Sequence, residues 1–237
     1  MDSKLIKAAL VTAAAAALSV PGAVYGLLSM PKKEKKKHPG QKTMVCIGDS
    51  VTFGAGVLAA RKKEAWPYIL NRLFEQDFEV LNYGINGATM LRSGDTPYSE
   101  DYYKAAEEIQ PDTILLMLGT NDSKPQNWNG EEFEKDYEDF LKRFMKEGRE
   151  IILMTPPKAF PKKGRDISAF DVRDSVISED VIPVIRKLAD RYGLKVIDLY
   201  TMSQDHPEYF KDGVHPNKLG NQIIANDIFR AFREENA

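Results

Sequence analysis

Two short stretches of this 237-residue chain combine residue types and spacing that invite chemistry: Gly48-Asp49-Ser50 and Asp212-Gly213-Val214-His215-Pro216. A serine hydroxyl is a poor nucleophile until a base takes its proton. In the second stretch a carboxylate precedes an imidazole by three residues, and Gly213 permits a tight turn between them. Asp212 can then hold one ring nitrogen and leave the other facing a nucleophile, which is the base-and-orienter half of a catalytic triad. Each stretch also has an ordinary reading. Gly, Asp and Ser are common turn formers, so Ser50 can be a helix-capping turn residue and His215 a surface turn residue before a final helix. His206, preceded by Asp205, is a rival base. Adjacent residues in an extended segment point apart, so this pair fits the role less well and reads as a turn shaped by Pro207.

Two further clusters carry donors. Asn82-Tyr83-Gly84-Ile85-Asn86-Gly87 holds glycines whose backbone can turn N–H groups toward a ligand. Gly119-Thr120-Asn121-Asp122 offers the Asn121 side-chain amide to an oxyanion. Singly, each is the kind of turn that ends a strand. Together the clusters supply a hydroxyl, a backbone donor, an amide donor and a base with its orienting carboxylate. These are the parts that acyl transfer requires.

The clusters need a scaffold that brings them together. From Thr43 onward, short apolar runs at Met44–Ile47, Phe78–Tyr83, Thr113–Leu118, Ile151–Met154 and Lys195–Asp198 alternate with helical patterns. The runs lack strict alternation, as expected of parallel strands buried on both faces. Helices are predicted over Trp66–Phe74, Asp101–Gln110, Glu131–Glu147 closed by Gly148, Ser178–Tyr192 closed by Gly193, and Lys218–Glu234 after an Asn217 cap. Five strands with intervening helices make a doubly wound α/β sheet with right-handed crossovers. Ligands of such sheets bind beyond the carboxyl ends of the strands. The clusters at Ser50, Gly87 and Asn121 each follow a predicted strand. The stretch Thr155–Ile177, with Pro156, Pro157, Pro161 and Gly164, is long for a loop in a compact domain. It reads either as a cover over a pocket or as a surface excursion.

Composition narrows the classes. Residues 1–42 hold eight Lys/Arg against two Asp/Glu, and the remainder 25 against 33. An acidic body argues against nucleic acid as a partner, because phosphate binding needs a basic face. The single cysteine, Cys46, allows no intrachain disulfide and sits in an apolar run that reads as a buried strand. Three histidines make a histidine-rich metal site an unattractive reading. Residues 8–30 carry no charge and are flanked by lysines. That is long enough to span a bilayer, and Pro21-Gly22 would break an ordinary core helix, so the segment is expected to be a signal or anchor that exports the protein or attaches it to a membrane rather than an apolar helix of the core. The flanking charge also allows a cytoplasmic-facing body. The expected organisation is therefore a signal or anchor with a charged linker over 1–42 and one catalytic domain over 43–237.

The four clusters resemble the conserved blocks of the SGNH/GDSL hydrolases. Residues 45–56 are similar to the first block and place the nucleophile at Ser50. Residues 82–87 match the second and place an oxyanion glycine at Gly87, and residues 119–122 match the third, with Asn121. Residues 212–216 match the fourth, with Asp212 and His215. The likeness runs from about Thr43 to Phe232, and the G-x-S-x-G elbow of α/β-hydrolases is absent from both. The resemblance implies a flavodoxin-like five-stranded parallel sheet flanked by helices. It further implies a serine esterase with a Ser50–His215–Asp212 triad, an oxyanion hole of the Ser50 and Gly87 N–H groups and the Asn121 amide, and no metal or organic cofactor. Leu118–Trp128 and Tyr83–Thr89 are similar to bacterial members assigned to carbohydrate deacetylation. This implies an acetyl group on a small-molecule or glycan ester, with Trp128 either a sugar platform or a loop anchor. A lysophospholipase or thioesterase acting on longer chains, and a non-catalytic binding module on the same fold, are the competing readings. Loops rich in Asn, Asp, Lys and Pro favour a small acyl group on a polar alcohol.

Overall fold

The computed structural model of the chain describes residues 39–98, 100–161 and 168–234. Five apolar runs form five parallel strands: β1 (Lys42–Gly48), β2 (Phe78–Gly84), β3 (Thr113–Met117), β4 (Glu150–Met154) and β5 (Lys195–Ile197). Their spatial order is β2-β1-β3-β4-β5, with every neighbouring pair parallel. This is the flavodoxin-like order expected. The chain leaves β1 toward one side for β2 and toward the other for β3, so the switch point, where ligands bind in such sheets, lies at the carboxyl end of β1. In register, Gly48 stands opposite Gly84 on one side and Met117 on the other. The three turns that carry the sequence clusters therefore emerge side by side.

Among the helices are α1 (Ser50–Phe53), α2 (Trp66–Leu73), α3 (Glu100–Glu108), α4 (Gly130–Phe144), α5 (Ile182–Tyr192), α6 (Leu199–Ser203) and α7 (Lys218–Glu234). Strand side chains alternate between two cores, because successive Cβ atoms point to opposite faces. Val45, Ile47, Leu116 and Leu153 pack with residues of α3, α4 and α5 such as Tyr137. Met44, Cys46, Leu115 and Met154 pack with residues of α2 and α7 such as Trp66 and Ile228. Each fully buried side chain of this size contributes about 1.5–3 kcal/mol. Cys46 is buried as expected, and burial pushes its thiol well above the ordinary range. The start of α2 is tied across the sequence, since the Trp66 N–H donates to Asn221 Oδ1 of α7 at 2.9 Å.

Element ends differ from expectation for local reasons. Strand β1 begins at Lys42 rather than after it, and the Gln41 side chain, buried, donates to the Glu75 carbonyl at 2.9 Å. Helix α4 stops at Phe144 because Met145 turns extended, and Gly148 serves a later turn at φ +77°. The run before α5 is already helical from Asp174 and passes through a π-helical turn at Ile177–Val181. Gly193 closes α5 at φ +63°, and Asn217 caps α7 by accepting the Gly220 N–H at 3.1 Å. Among the described residues no helix is long and apolar enough to cross a membrane, and the stretch 8–30 lies outside them. So do residues 162–167 of the long loop.

Candidate active site

Gly48 ends β1 where a Cβ would lie 2.1 Å from Thr52 Oγ1 and 2.8 Å from the Met117 carbonyl. Only glycine fits that passage, so the chain turns at once into α1. Asp49 caps α1 by accepting the Val51 N–H at 2.8 Å, which fixes Ser50 as the first helical residue. Ser50 is buried apart from a small window, at 7% exposure.

The loop before α7 brings the base. Asp212 Oδ1 accepts the N–H groups of Val214 and His215 at 3.0 and 2.8 Å. That turn requires Gly213, which stands at φ +86° and passes so close to Phe160 that a Cβ would lie 2.3 Å from its carbonyl oxygen. The other carboxylate oxygen, Oδ2, lies 2.7 Å from His215 Nδ1, and His215 Nε2 lies 2.9 Å from Ser50 Oγ. These two contacts assign the tautomer: Nδ1–H donates to Asp212, and Nε2 accepts the serine hydroxyl proton. Partial burial disfavours the charge on Asp212, but hydrogen bonds from the His215 ring and from the His215 and Val214 amides outweigh it. They hold its carboxyl well below the usual range. Hydroxyl, imidazole and carboxylate thus stand in line, an arrangement that can remove a proton from Ser50 and stabilise the imidazolium that results.

The donor turns pack against one another. Gly87 adopts φ +79° and Gly119 φ +127°, where a Cβ would lie 2.5 Å from Val181. The buried Asn121 side chain donates to the Ala88 carbonyl at 3.1 Å, next to Gly87. Asn127 donates to the Asn121 carbonyl at 2.9 Å and accepts the Asp95 N–H at 3.0 Å. Asp122 accepts the N–H groups of Leu91 and Met90 at 2.7 and 3.1 Å. Asn121 and Asp122 together therefore bind the Gly87 segment to their own turn. Burial drives the Asp122 carboxyl up to about 7 against its backbone donors, and the nearby Asp49 charge raises it further. Burial also raises Asp49, against the Val51 N–H it accepts, the neighbouring Thr120 and the nearby His215.

The GDSL-like lipase/acylhydrolase family model matches residues 46–223, three quarters of the chain and all four clusters. The chain belongs to this family of ester hydrolases. An acetylxylan esterase of Xylanibacter ruminicola is 34% identical over 212 residues, covering 80% of this chain. The chain spans 43% of the length of that relative. Among solved structures, a lipase/acylhydrolase of Enterococcus faecalis aligns over 82% of this chain and 97% of its own, with TM-score 0.63 and 24% identity. An acetylxylan esterase of Geobacillus stearothermophilus, solved as a catalytic mutant, aligns over 83% and 95% with TM-score 0.63 and 19% identity. These two show the shared GDSL fold.

Within the family framework the structure sorts the sequence candidates. Ser50, His215 and Asp212 form one hydrogen-bonded chain. Asn121 is tied to the Gly87 turn. His206 points elsewhere: its ring stacks on Tyr209 at 4.5 Å and pairs with Glu208 at 2.8 Å. Trp128 is half-buried, with its ring 5.3 Å from Phe133 in a tilted contact at the start of α4. The residues that sequence reasoning passed over are Asp122, Asn127 and Phe170. Asp122 was in plain view within the third cluster. Its role as a clamp depends on the segment Met90–Leu91, some thirty residues earlier, which no local pattern connects to it.

Proposed function

We propose that this chain is a serine esterase that removes an acetyl group from a carbohydrate ester. The observation that carries the catalytic half is the unbroken hydrogen-bonded chain from Ser50 Oγ through His215 to Asp212. The substrate class is supported by the 34% identity to an acetylxylan esterase and by the polar character of the loops around the site.

In the first step Ser50 Oγ attacks the ester carbonyl carbon while His215 Nε2 takes the hydroxyl proton. Asp212, kept ionised by its donors, orients the ring and balances the imidazolium. The developing oxyanion is met by the N–H groups of Ser50 and Gly87 and by the Asn121 amide. His215 then returns its proton to the alcohol oxygen as the ester C–O bond breaks. In the second step water, deprotonated by the same nitrogen, attacks the acetyl-serine, and acetic acid leaves with Ser50 restored. Residues beside His215 on the described part of the loop after β4 are assigned to the walls of the alcohol site. The stretch 8–30 is assigned to export or membrane attachment, which fractionation of cells expressing the full chain tests directly.

The decisive experiment offers the purified protein acetylated xylooligosaccharides beside nitrophenyl esters of two to twelve carbons and follows acid release. Acetate release from the sugars that disappears after Ser50 is labelled by a fluorophosphonate is the expected result. Turnover confined to the long-chain esters overturns the acetyl assignment. A chain that neither turns over an ester nor takes the label is a binding module.

A further inference from the structure

In the loop after β4, the Ser168 N–H and hydroxyl both donate to the Val172 carbonyl, at 3.1 and 2.9 Å. This bracket encloses Phe170 and Asp171, which stand at φ +67° and +60°. Both occupy the left-handed region without being glycine, a conformation that persists only where surroundings over-determine it and that concentrates at ligand clamps. The surroundings here are rigid. Val172 is buried, and Arg173 ties the next residue to the Asn121 turn, its N–H donating to Ser123 Oγ at 3.2 Å and its Nε–H to the Ser123 carbonyl at 2.7 Å. Asp174 accepts the Ala159 N–H at 2.9 Å and the Lys158 ammonium at 3.0 Å, fastening the loop to the residues just beyond β4.

A phenyl ring stands in solvent on this bracket. Phe170 is 58% exposed, one of four large apolar side chains left exposed among the described residues. Its ring stands edge-on to the His215 imidazole, with centroids 5.1 Å apart and planes at 68°. An exposed aromatic ring held against a functional histidine by a strained, anchored backbone is a surface prepared for a ligand rather than a failure of burial.

The chemistry of acyl transfer says which part of the ligand it meets. His215 Nε2 must give its proton to the alcohol oxygen when the ester C–O bond breaks, so the alcohol lies on the imidazole side of the reacting carbon. The acyl group lies away from it. We propose that Phe170 is the platform for the alcohol half of the ester, packing against the C–H face of the pyranose ring that bears the acetyl group. The negative face of an aromatic ring attracts such weakly positive C–H groups, and no hydrogen bond is required. Phe170 is then a specificity-determining residue of the site, and this assignment rests on the carbohydrate-esterase reading above.

The test compares Phe170→Ala and Phe170→Trp with the native chain on two esters. Acetylated xylotriose has a pyranose alcohol, and ethyl acetate has an alcohol with no ring. Phe170→Ala is expected to raise KM for the sugar about tenfold more than for ethyl acetate, with kcat for the sugar less affected than KM. Phe170→Trp is expected to restore the sugar KM. Equal losses on both esters would mean that Phe170 merely supports His215, and no loss on the sugar would mean that it touches nothing. Either overturns the platform. If the native chain hydrolyses ethyl acetate and leaves the sugar intact, the carbohydrate reading itself fails. That result is read from the native chain alone and is distinct from a failure of the Phe170 variants.

Discussion

Asp212 and Asp122 each accept two backbone N–H bonds in turns beyond the sheet, yet their charges are pushed in opposite directions. Asp212 is about one-third exposed and adds a third donor, the His215 ring, so its carboxyl is held low. Asp122 is fully buried and senses the buried Asp49, so its carboxyl rises to about 7. The number of amide donors therefore does not decide ionisation here. Water and the third partner do. The consequence is a division of labour around one serine. In the proposed mechanism the Asp212 side keeps its charge where the imidazolium forms. The Asp122 side fastens two turns together.

The largest effects should come from breaking the Asp212 side. Ser50→Ala and His215→Ala should each lower kcat by about 10⁴-fold or more, and the double variant should lose little beyond either alone, because the residues act as a unit. Asp212→Asn preserves shape but presents an amide to His215 Nδ1 and favours the wrong tautomer, with an expected loss near 10⁴-fold. Additive losses across the three, measured as acetate release by folded variants, would show that the chain of hydrogen bonds is not the working unit.

On the other side, Asn121→Ala should lower kcat by about 10²–10³ with a smaller change in KM, since its amide is worth most to the transition-state oxyanion. The variant also loses the bond to the Ala88 carbonyl. Asn121→Asp, which keeps the size but offers a carboxylate, should do no better. Recovery of kcat by that variant would show that Asn121 acts only through packing.

Asp122 makes its prediction through stability. An unfolded carboxylate titrates near pH ~4, whereas burial places the folded group at about 7. Between those values the folded chain retains a proton that the unfolded chain has released. Stability therefore falls as pH rises through this window, by up to about 1.4 kcal/mol per pH unit, and is insensitive to this group below and above it. Asp122→Asn carries no such proton. Urea unfolding from pH 4.5 to 8 should show the native and variant profiles converging as pH rises, or crossing. Parallel profiles would mean that Asp122 is ionised throughout and that the contrast with Asp212 is wrong.

How much of this was legible in the sequence follows from the range of each interaction. The five strands announce themselves as short Val, Ile and Leu runs, because parallel strands are buried on both faces. The Asp212–His215 turn is equally local, with both partners inside four residues and Gly213 between them. Five-residue α6 is too short to establish a helical period, and so is four-residue α1, where the sequence allows only a helix or turn beginning at Ser50. The end of α4 was overrun because Gly148 looked like its stop, while Met145 had already turned extended. Asp122 and Phe170 were illegible for a different reason. One acts on a segment some thirty residues away, and the other becomes meaningful only when its loop folds back onto His215.

The smallest expected effect belongs to His206, and it sharpens the same contrast. His206 and Glu208 form an imidazole–carboxylate pair at 2.8 Å, nearly the spacing of His215 and Asp212. If such a pair sufficed to make a base, either histidine would serve. The surroundings differ. His206 has 44% of its side chain exposed and lies flat on Tyr209 at an interplanar angle of 8°. Its hydrogen-bonded partner is the exposed Glu208, whereas the far nitrogen of His215 meets a serine hydroxyl. A base without a nucleophile in reach contributes nothing to acyl transfer. His206→Ala should therefore change kcat/KM by less than about twofold, and stability by about 0.5 kcal/mol at most. Steady-state kinetics on one soluble acetyl ester, run beside His215→Ala, settles the matter. A loss for His206→Ala comparable to that for His215→Ala would mean that the pairing of ring and carboxylate, rather than the serine at the other nitrogen, selects the base.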